Sequence, residues 1–389
     1  MIQVEDALLL IQQHTHKLPA KKIKVKKSLG YILSEAVYSP MDMPPFRQSA
    51  MDGYAFLYGD STRYEVVNTI AAGHFSTIEI KKDQAVRIFT GAFVPDNLDT
   101  VVMQEHTVAN GNKMEIIKMP SKFSNVRNKG EQVKINELVL QQNTPITAAA
   151  IGFLTCLGIT EIAVYDKPKV GIIVTGDELV RAGEQLPKGA IYESNSVMLE
   201  AALQQMGIKK VKIYGVKDTL KATKKVIKNN LDKFDVVLVS GGISVGDYDF
   251  VKEALWSNGV EELFYKINQK PGKPLFFGKK NNTLVFALPG NPASALTCFY
   301  VYVQQALKKM MGHETFSLPN IKRKITSDTK NNSGKSLFLK AFYNEDEVRI
   351  LDGQSSAMLN TFAVANGFIF LPYHTTEIKK NEEVTVIPF

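Results

Sequence analysis

Asp235-Val-Val-Leu-Val-Ser-Gly-Gly-Ile-Ser-Val-Gly-Asp-Tyr-Asp249 is the stretch from which the fold can be read. Val236 to Val239 are four consecutive apolar β-formers, the composition of a strand buried on both faces of a parallel sheet. A turn follows with Gly241, Gly242 and Gly246, hydroxyls at Ser240 and Ser244, and carboxylates at Asp247 and Asp249. A buried strand that runs through a glycine-rich loop into a helix is where α/β proteins bind phosphate, because free backbone N–H groups face the ligand there. Carboxylates at the same edge add oxygen donors for a hard divalent cation. The stretch predicts an α/β domain with a site for a phosphorylated ligand and Mg²⁺.

Strand and helix patterns alternate on both sides of it, starting after Pro168. Val170–Thr175 is an apolar run that ends in Gly176-Asp177-Glu178, and Ser194 to Met206 carries Leu199, Ala202, Leu203 and Met206 at helical spacing before Gly207. Val211–Tyr214 reads as a strand, and Asp218 as the cap of a helix running to Leu231. A helix is expected around Val251 to Trp256. Val260–Tyr265 leads to Lys270-Pro-Gly-Lys-Pro274, and Leu284–Leu288 to Pro289-Gly-Asn-Pro292. Asn291 caps the last helix with Pro292 at its first position, and Leu296, Phe299, Val303 and Leu307 form its buried stripe. Residues 169–313 form a three-layer α/β domain by this reading, within the ordinary domain size.

The flanking segments differ. Val4 to His14 is an amphipathic helix, and a β stretch covers Ile23 to Leu33. Lys21-Lys-Ile-Lys-Val-Lys-Lys27 alternates like a strand with a solvated face. Met43-Pro-Pro-Phe-Arg-Gln-Ser-Ala-Met-Asp-Gly-Tyr-Ala55 is a loop too apolar for a solvated connector, so it packs against something, a second subunit being one candidate. Short β runs follow at Val66–Ile70, Ile78–Ile80, Ala85–Phe89, Thr100–Met103 and Lys113–Ile117. Thr144-Pro145 starts a helix that passes Cys156 and stops at Gly158. The expected partition is a discontinuous helical domain (1–19 and 131–168, with a 39–47 linker), a β-rich insertion (20–130), the α/β domain (169–313) and a C-terminal β-barrel domain (318–389).

Composition narrows the function. The chain has 389 residues, 44% hydrophobic and 22% charged, as in a soluble multidomain protein. Glu5 and Asp6 precede the only apolar N-terminal run, which argues against a signal peptide, and no stretch reaches membrane-spanning length, so the cytoplasm is expected. Cys156 and Cys298 lie in apolar helical patterns and read as buried free thiols. His14 and His16 are two apart, a spacing that argues against zinc. The net charge of +8 comes without aromatics among the basic residues as an RNA-binding sheet would place them, and a mild positive field suits a small anionic substrate as well as it suits nucleic acid.

Gly242-Ile-Ser-Val-Gly246 matches the serine-hydrolase G-x-S-x-G, but Gly241 and Gly242 lengthen the turn and acids crowd the serine. A phosphate cradle uses these glycines better. In a parallel sheet the strand ends share one edge, so Asp177, Glu178, Asp218, Asp247 and Asp249 converge on a cation by this reading, with helix capping as the alternative for each singly. Lys270 and Lys273 sit on a proline-stiffened loop suited to an oxyanion, and the turn before Pro292 opens a helix whose N–H groups attract anions. Unaided, the residues imply an enzyme for a phosphorylated ligand, a divalent cation and a second small oxyanion.

In order, Ser49-Ala-Met-Asp-Gly-Tyr-Ala55, Thr90-Gly91, Thr175-Gly-Asp-Glu-Leu179, Ile191-Tyr-Glu-Ser-Asn195, Ser240 to Asp249, Lys270 to Pro274, Leu288 to Pro292 and Ala365-Asn-Gly367 resemble the molybdopterin molybdenumtransferase (MoeA) family, which includes the gephyrin E domain. The resemblance covers nearly the whole chain. It implies a homodimer that takes adenylylated molybdopterin and molybdate, inserts the metal at the dithiolene sulfurs and releases AMP with Mg²⁺. It implies contact with the adenylyltransferase and with molybdoenzyme apoproteins, and no nucleic acid or membrane. Asp52, Thr90, Glu178, Asp218 and Asp249 would be catalytic, the three last also holding the metal, and Asp52 and Thr90 would reach the site across the dimer. Asp177, Ser240, Gly241, Gly242, Ser244, Gly246, Asp247, Pro289, Gly290, Asn291 and Pro292 would bind the pterin substrate. Lys270, Lys273, Pro274, Ser294, Lys340 and Ser356 would bind molybdate, with Lys266 nearby. Three departures stand out: Gln132 where an Asp is usual, Lys340 where an arginine is usual, and Ser355-Ser356 in place of Gly-Ser. The related adenylyltransferase and a gephyrin-like dimeric scaffold are the alternatives; extra domains argue against the first, and intact acidic and lysine motifs against the second.

Overall fold

The computed structural model describes residues 1–243, 250–315 and 317–389, so Ser244, Gly246, Asp247 and Asp249 lie outside the described residues. The chain divides into two units: Met1–Lys21 with Gly30–Ser34 and Val164–Phe389, and Lys22–Leu29 with Glu35–Ala163.

The first unit is organised on a six-stranded sheet. Its order is Val211–Val216, Val170–Thr175, Val236–Ser240, Thr283–Leu288, Phe276–Lys280 and Glu261–Tyr265. The first four strands are parallel, and Phe276–Lys280 runs antiparallel to both of its neighbours. Every residue of Val170–Thr175, Val236–Ser240 and Thr283–Leu288 is buried, as their unbroken apolar runs predict. Alternation sends their side chains to two faces. Ile172, Leu238 and Phe286 pack with the helices Val4–His14, Asn195–Gln205 and Pro292–Cys298, whereas Ile173, Val237, Val239 and Val285 pack with Leu220–Leu231 and Val251–Ser257. Each such side chain contributes about 1.5–3 kcal/mol by leaving water. The three-layer α/β reading holds.

Strand order creates the crevice. The second parallel strand in sequence, Val211–Val216, lies on one side of Val170–Thr175, and the third, Val236–Ser240, on the other. Connections leaving Thr175 and Ser240 therefore diverge at the carboxyl edge, where open α/β sheets bind ligands.

The C-terminal segment closes a barrel. Ser336–Tyr343 pairs with Glu347–Ile350, which pairs with Ile321–Ile325, then Glu383–Pro388, then Gly367–Leu371, which returns to Ser336–Tyr343. The short strand Gln269–Lys270 adds to the start of Ser336–Tyr343.

The second unit holds another six-stranded sheet, ordered Thr100–Met103, Gly53–Phe56, Gln84–Ile88, Arg63–Ile70, Lys113–Ile116 and Thr107–Asn110. Residues 78–80 form no strand, and the Ile80 carbonyl accepts from the Asn97 side chain at 2.8 Å. The apolar loop finds part of its partner within this unit: Phe46 meets Phe93 edge-on at 5.8 Å.

Four local expectations are corrected. Val25–Lys27 is a 3₁₀ turn, not a continuation of the basic strand Ala20–Lys24. Thr147, not Thr144, caps the helix Ala148–Cys156, accepting from Ala150 N. Cys156 is exposed, two residues from buried Leu154 and so on the other face of that helix; Cys298 is buried as expected. Thr219, not Asp218, caps Leu220–Leu231 by accepting from Ala222 N. Among the described residues no helix is long and apolar enough to cross a membrane.

Candidate active-site cleft

A cleft of about 490 Å³ opens at the carboxyl edge of the parallel strands. Thr175 and Ser240 end two strands on its floor, and Gly241, Gly242, Glu178, Asp218, Asn195, Pro274 and Pro289 to Pro292 line its sides. Gly241 takes φ +93°, and a Cβ there would lie 2.6 Å from the Thr175 carbonyl oxygen. Only glycine lets the chain turn this closely past the neighbouring strand end.

The acid wall is built from strand ends. The Thr175 hydroxyl donates to Asp218 Oδ1, and the Asp218 backbone N–H donates to Asp177 Oδ1 at 3.2 Å. Asp218, freed from capping by Thr219, is thus tied to the adjacent strand by its side chain. Glu178 is exposed on the cleft side, and Asp177 borders a second groove beyond it. Among the described residues no group of three His, Cys, Asp or Glu is placed to hold a metal ion. Asp249, the third expected member of such a group, is not described.

Two residues of this wall escaped the sequence reading. Asn195 is buried, donates from Nδ2 to Ser240 Oγ at 2.8 Å and to the Gly290 carbonyl at 2.7 Å, and its Oδ1 has no partner among the described residues. It joins the ends of two strands across the floor. Glu193 accepts from Ser196 N at 2.8 Å and so fixes the start of the helix that carries Asn195. Their segment, Ile191 to Asn195, was a matching motif, but an asparagine and a glutamate at a helix start read from sequence as ordinary capping residues.

The opposite wall is made of turns. Asn291 is the N-cap of Pro292–Cys298, and its side chain donates to Ser356 Oγ at 3.0 Å while Ala293 N donates to the Ser356 carbonyl at 3.1 Å. Ser356 is thereby tied to the start of that helix, although it does not itself line the cleft. Lys270 and Lys273 are exposed on their loop, and among the described residues neither forms an ion pair. Ser294 is buried in the first turn of its helix rather than on the cleft wall. Lys266, at φ +65°, places its ammonium 4.7 Å from the centre of the Tyr265 ring.

Lys340 is placed otherwise than expected for a molybdate ligand. It is 1% exposed, and its ammonium donates to the carbonyls of Gly353 at 2.7 Å, Ser355 at 3.2 Å and Met358 at 2.9 Å. These acceptors match all three of its donors. Burial lowers its pKa below the ordinary lysine value. The strand Ser336–Tyr343 points this residue inward, so the charge holds the loop that carries Ser356.

In the second unit, Asp52 and Thr90 meet as a pair. Asp52 Oδ1 accepts from the Thr90 backbone N–H and from its hydroxyl, both at 2.7 Å. The backbone bond first, and the hydroxyl second, hold the Asp52 carboxyl below its usual value.

Comparison with known proteins identifies the family. Residues 2–158 match the MoeA N-terminal region (domain I and II), residues 171–309 a probable molybdopterin binding domain, and residues 322–389 the MoeA C-terminal region (domain IV). A molybdopterin molybdenumtransferase of Haemophilus influenzae is 34% identical over 390 residues, covering 98% of this chain and 96% of that protein. One of Staphylococcus epidermidis is 33% identical over 399 residues, covering 99% and 95%. The crystal structure of a molybdopterin biosynthesis MoeA protein from Pyrococcus horikoshii superposes with a TM-score of 0.85 at 26% identity, covering 100% of each chain. Matched from end to end, the chain belongs to the MoeA family, the molybdopterin molybdenumtransferases of molybdenum cofactor biosynthesis.

Proposed function

We propose that the cleft takes adenylylated molybdopterin and molybdate, inserts the metal at the dithiolene sulfurs and releases AMP. The observation that supports this most is a single cleft with carboxylates on one wall and anion-binding turns on the other. Gly241 and Gly242 bring backbone close to a bound phosphate, and the N-cap turn at Asn291 offers a helix dipole to the same charge. Lys270, Lys273 and Ser356 suit a small tetrahedral oxyanion, the lysines by charge and the serine by hydrogen bonding.

Mg²⁺ fits the donor set. Glu178 and Asp218 present hard oxygen atoms to one cleft, and Mg²⁺ is typically held by one or two carboxylates while keeping waters. Glu178 and Asp218 would hold the ion, with Asp249 outside the described residues, and the ion would supply charge neutralisation at the pyrophosphate-like link. Asp218 is oriented for this by Thr175, and Asn195 keeps Ser240 and Gly290 in register across the floor. The working form is a homodimer in which a second copy supplies Asp52 and Thr90. The adenylyltransferase that makes the substrate and the molybdoenzyme apoproteins that take the product are its protein partners.

Purified protein mixed with adenylylated molybdopterin, molybdate and Mg²⁺ should release AMP and yield active cofactor. AMP release no greater than in buffer refutes the assignment. Sedimentation of the free protein as a monomer at micromolar concentration refutes the dimer.

A further inference from the structure

The exposed lysines of the loop Lys270–Pro274 rest on a floor of buried polar groups. Gly272 takes φ +84°, and a Cβ there would stand 2.6 Å from Cys298 Sγ and 2.9 Å from Gln269 Nε2. Two side chains thus press directly on the loop backbone. Gln269 is 1% exposed and donates from Nε2 to the carbonyls of Pro271 at 3.0 Å and Gly272 at 3.2 Å. Its Oε1 accepts from the hydroxyl of fully buried Tyr302. Cys298 Sγ donates to the Gly272 carbonyl at 3.6 Å.

An amide has one accepting end and one donating end. A phenol hydroxyl at Oε1 therefore turns Nε2 toward the loop, and the reverse orientation would set carbonyl against carbonyl. Tyr302 belongs to a π turn, Phe299–Val303, between the helical segments Pro292–Cys298 and Gln304–Met310. Such turns cost regular helical bonding and are enriched at functional sites. One helix thus supplies the Asn291 turn to the cleft wall at its start and a buttress for the lysine loop farther along. The backbone of Gln269 is fixed independently, paired with Ser336 of the barrel.

We propose that Gln269, oriented by Tyr302, is a positioning residue for oxyanion binding: it fixes the Pro271 and Gly272 carbonyls and hence the directions in which Lys270 and Lys273 leave the loop. This deepens the molybdate reading of the cleft and rests on it. Tyr302→Phe removes one buried bond and frees the amide to rotate, whereas Gln269→Leu removes the whole support.

The test is the Michaelis constant for each substrate of AMP release, together with calorimetric titration of molybdate into the protein without turnover. Tyr302→Phe should raise the molybdate KM about tenfold, the loss expected from one misdirected buried hydrogen bond, and the calorimetric Kd should rise with it. The KM for adenylylated molybdopterin should stay within about twofold, a split that general loosening of the fold does not produce. Gln269→Leu should shift the molybdate constants further in the same sense. Unchanged molybdate constants in Tyr302→Phe, or an equal rise for both substrates, overturn the proposal, and Tyr302→Phe decides alone if Gln269→Leu does not fold. If the wild-type protein binds molybdate but releases no AMP, the reaction assigned above fails while calorimetry still judges the positioning.

Discussion

The two walls of the cleft are built by opposite means. On the acid wall, Glu178 and Asp218 follow directly from the ends of sheet strands, and little more than the Thr175 hydroxyl orients Asp218. On the lysine wall, Pro274 and Asn291 line the cleft while Lys270, Lys273 and Ser356 sit on the adjoining loops, and buried side chains from distant segments hold those loops in place: Gln269 and Tyr302 under one, Lys340 inside the other. A residue that leaves a packed strand inherits its position from the sheet. A residue on a loop requires a supporting layer beneath it. Mutations should therefore separate chemistry from architecture on the acid wall and mix them on the lysine wall.

The largest effect is expected at Glu178. Glu178→Gln keeps the shape and removes the charge of an exposed side chain, so AMP release should fall at least about a hundredfold while the melting temperature stays unchanged. Wild-type turnover in this variant would break the idea that the acid wall does the chemistry. Asp218→Asn should also lose activity, with a small fall in stability because Thr175 loses a charged acceptor.

Lys340 should behave in the contrary way. Lys340→Met removes the buried ammonium that ties three loop carbonyls together, and the expected loss of stability is about 1–3 kcal/mol by urea denaturation, together with weaker molybdate binding. If the residue were a direct ligand instead, molybdate binding would weaken with stability intact. Lys340→Arg separates the cases again. A guanidinium is too broad and planar for a point charge held by three carbonyls, so the arginine should fail to restore a stable loop.

This contrast also explains what was legible in the sequence. Val236–Val239, Val170–Thr175 and the turns after them announce themselves by local composition, and the acid wall is an extension of those strands. The lysine loop is equally visible, since Lys270-Pro-Gly-Lys-Pro274 has few conformations open to it. Its support is not. Gln269 resembles any polar residue at the start of a loop, Tyr302 any aromatic on an apolar helix, and Lys340 an expected ligand, because their roles depend on neighbours far away in sequence. Asp218 shows the same limit at short range. One residue's difference in the cap, Thr219 in place of Asp218, decides whether that carboxylate serves the helix or the cleft. Thr219→Ala should cost about 1 kcal/mol in stability and leave both KM values unchanged; a change in either would mean that the cap and the acid wall are not separable.

The smallest effect is expected in the second unit, where Asp52 gives the comparison a third case: an exposed carboxylate whose orientation comes from a single neighbour, Thr90. Two donors stabilise its charged form, so its pKa lies below the ordinary aspartate value and the group stays ionised through neutral and mildly acidic pH. The sign follows from linkage: a depressed carboxylate adds stability that is fully present above its unfolded pKa and is lost as pH falls through the lower folded value. Thr90→Val removes the hydroxyl bond and keeps the backbone bond, so the Asp52 titration followed by carboxyl-carbon NMR should move only part of the way back up. A full return would mean that the hydroxyl alone orients the carboxylate. No movement would mean that the backbone N–H is sufficient, and Asp52 would then be a carboxylate positioned by main chain rather than by a supporting side chain, unlike Asp218.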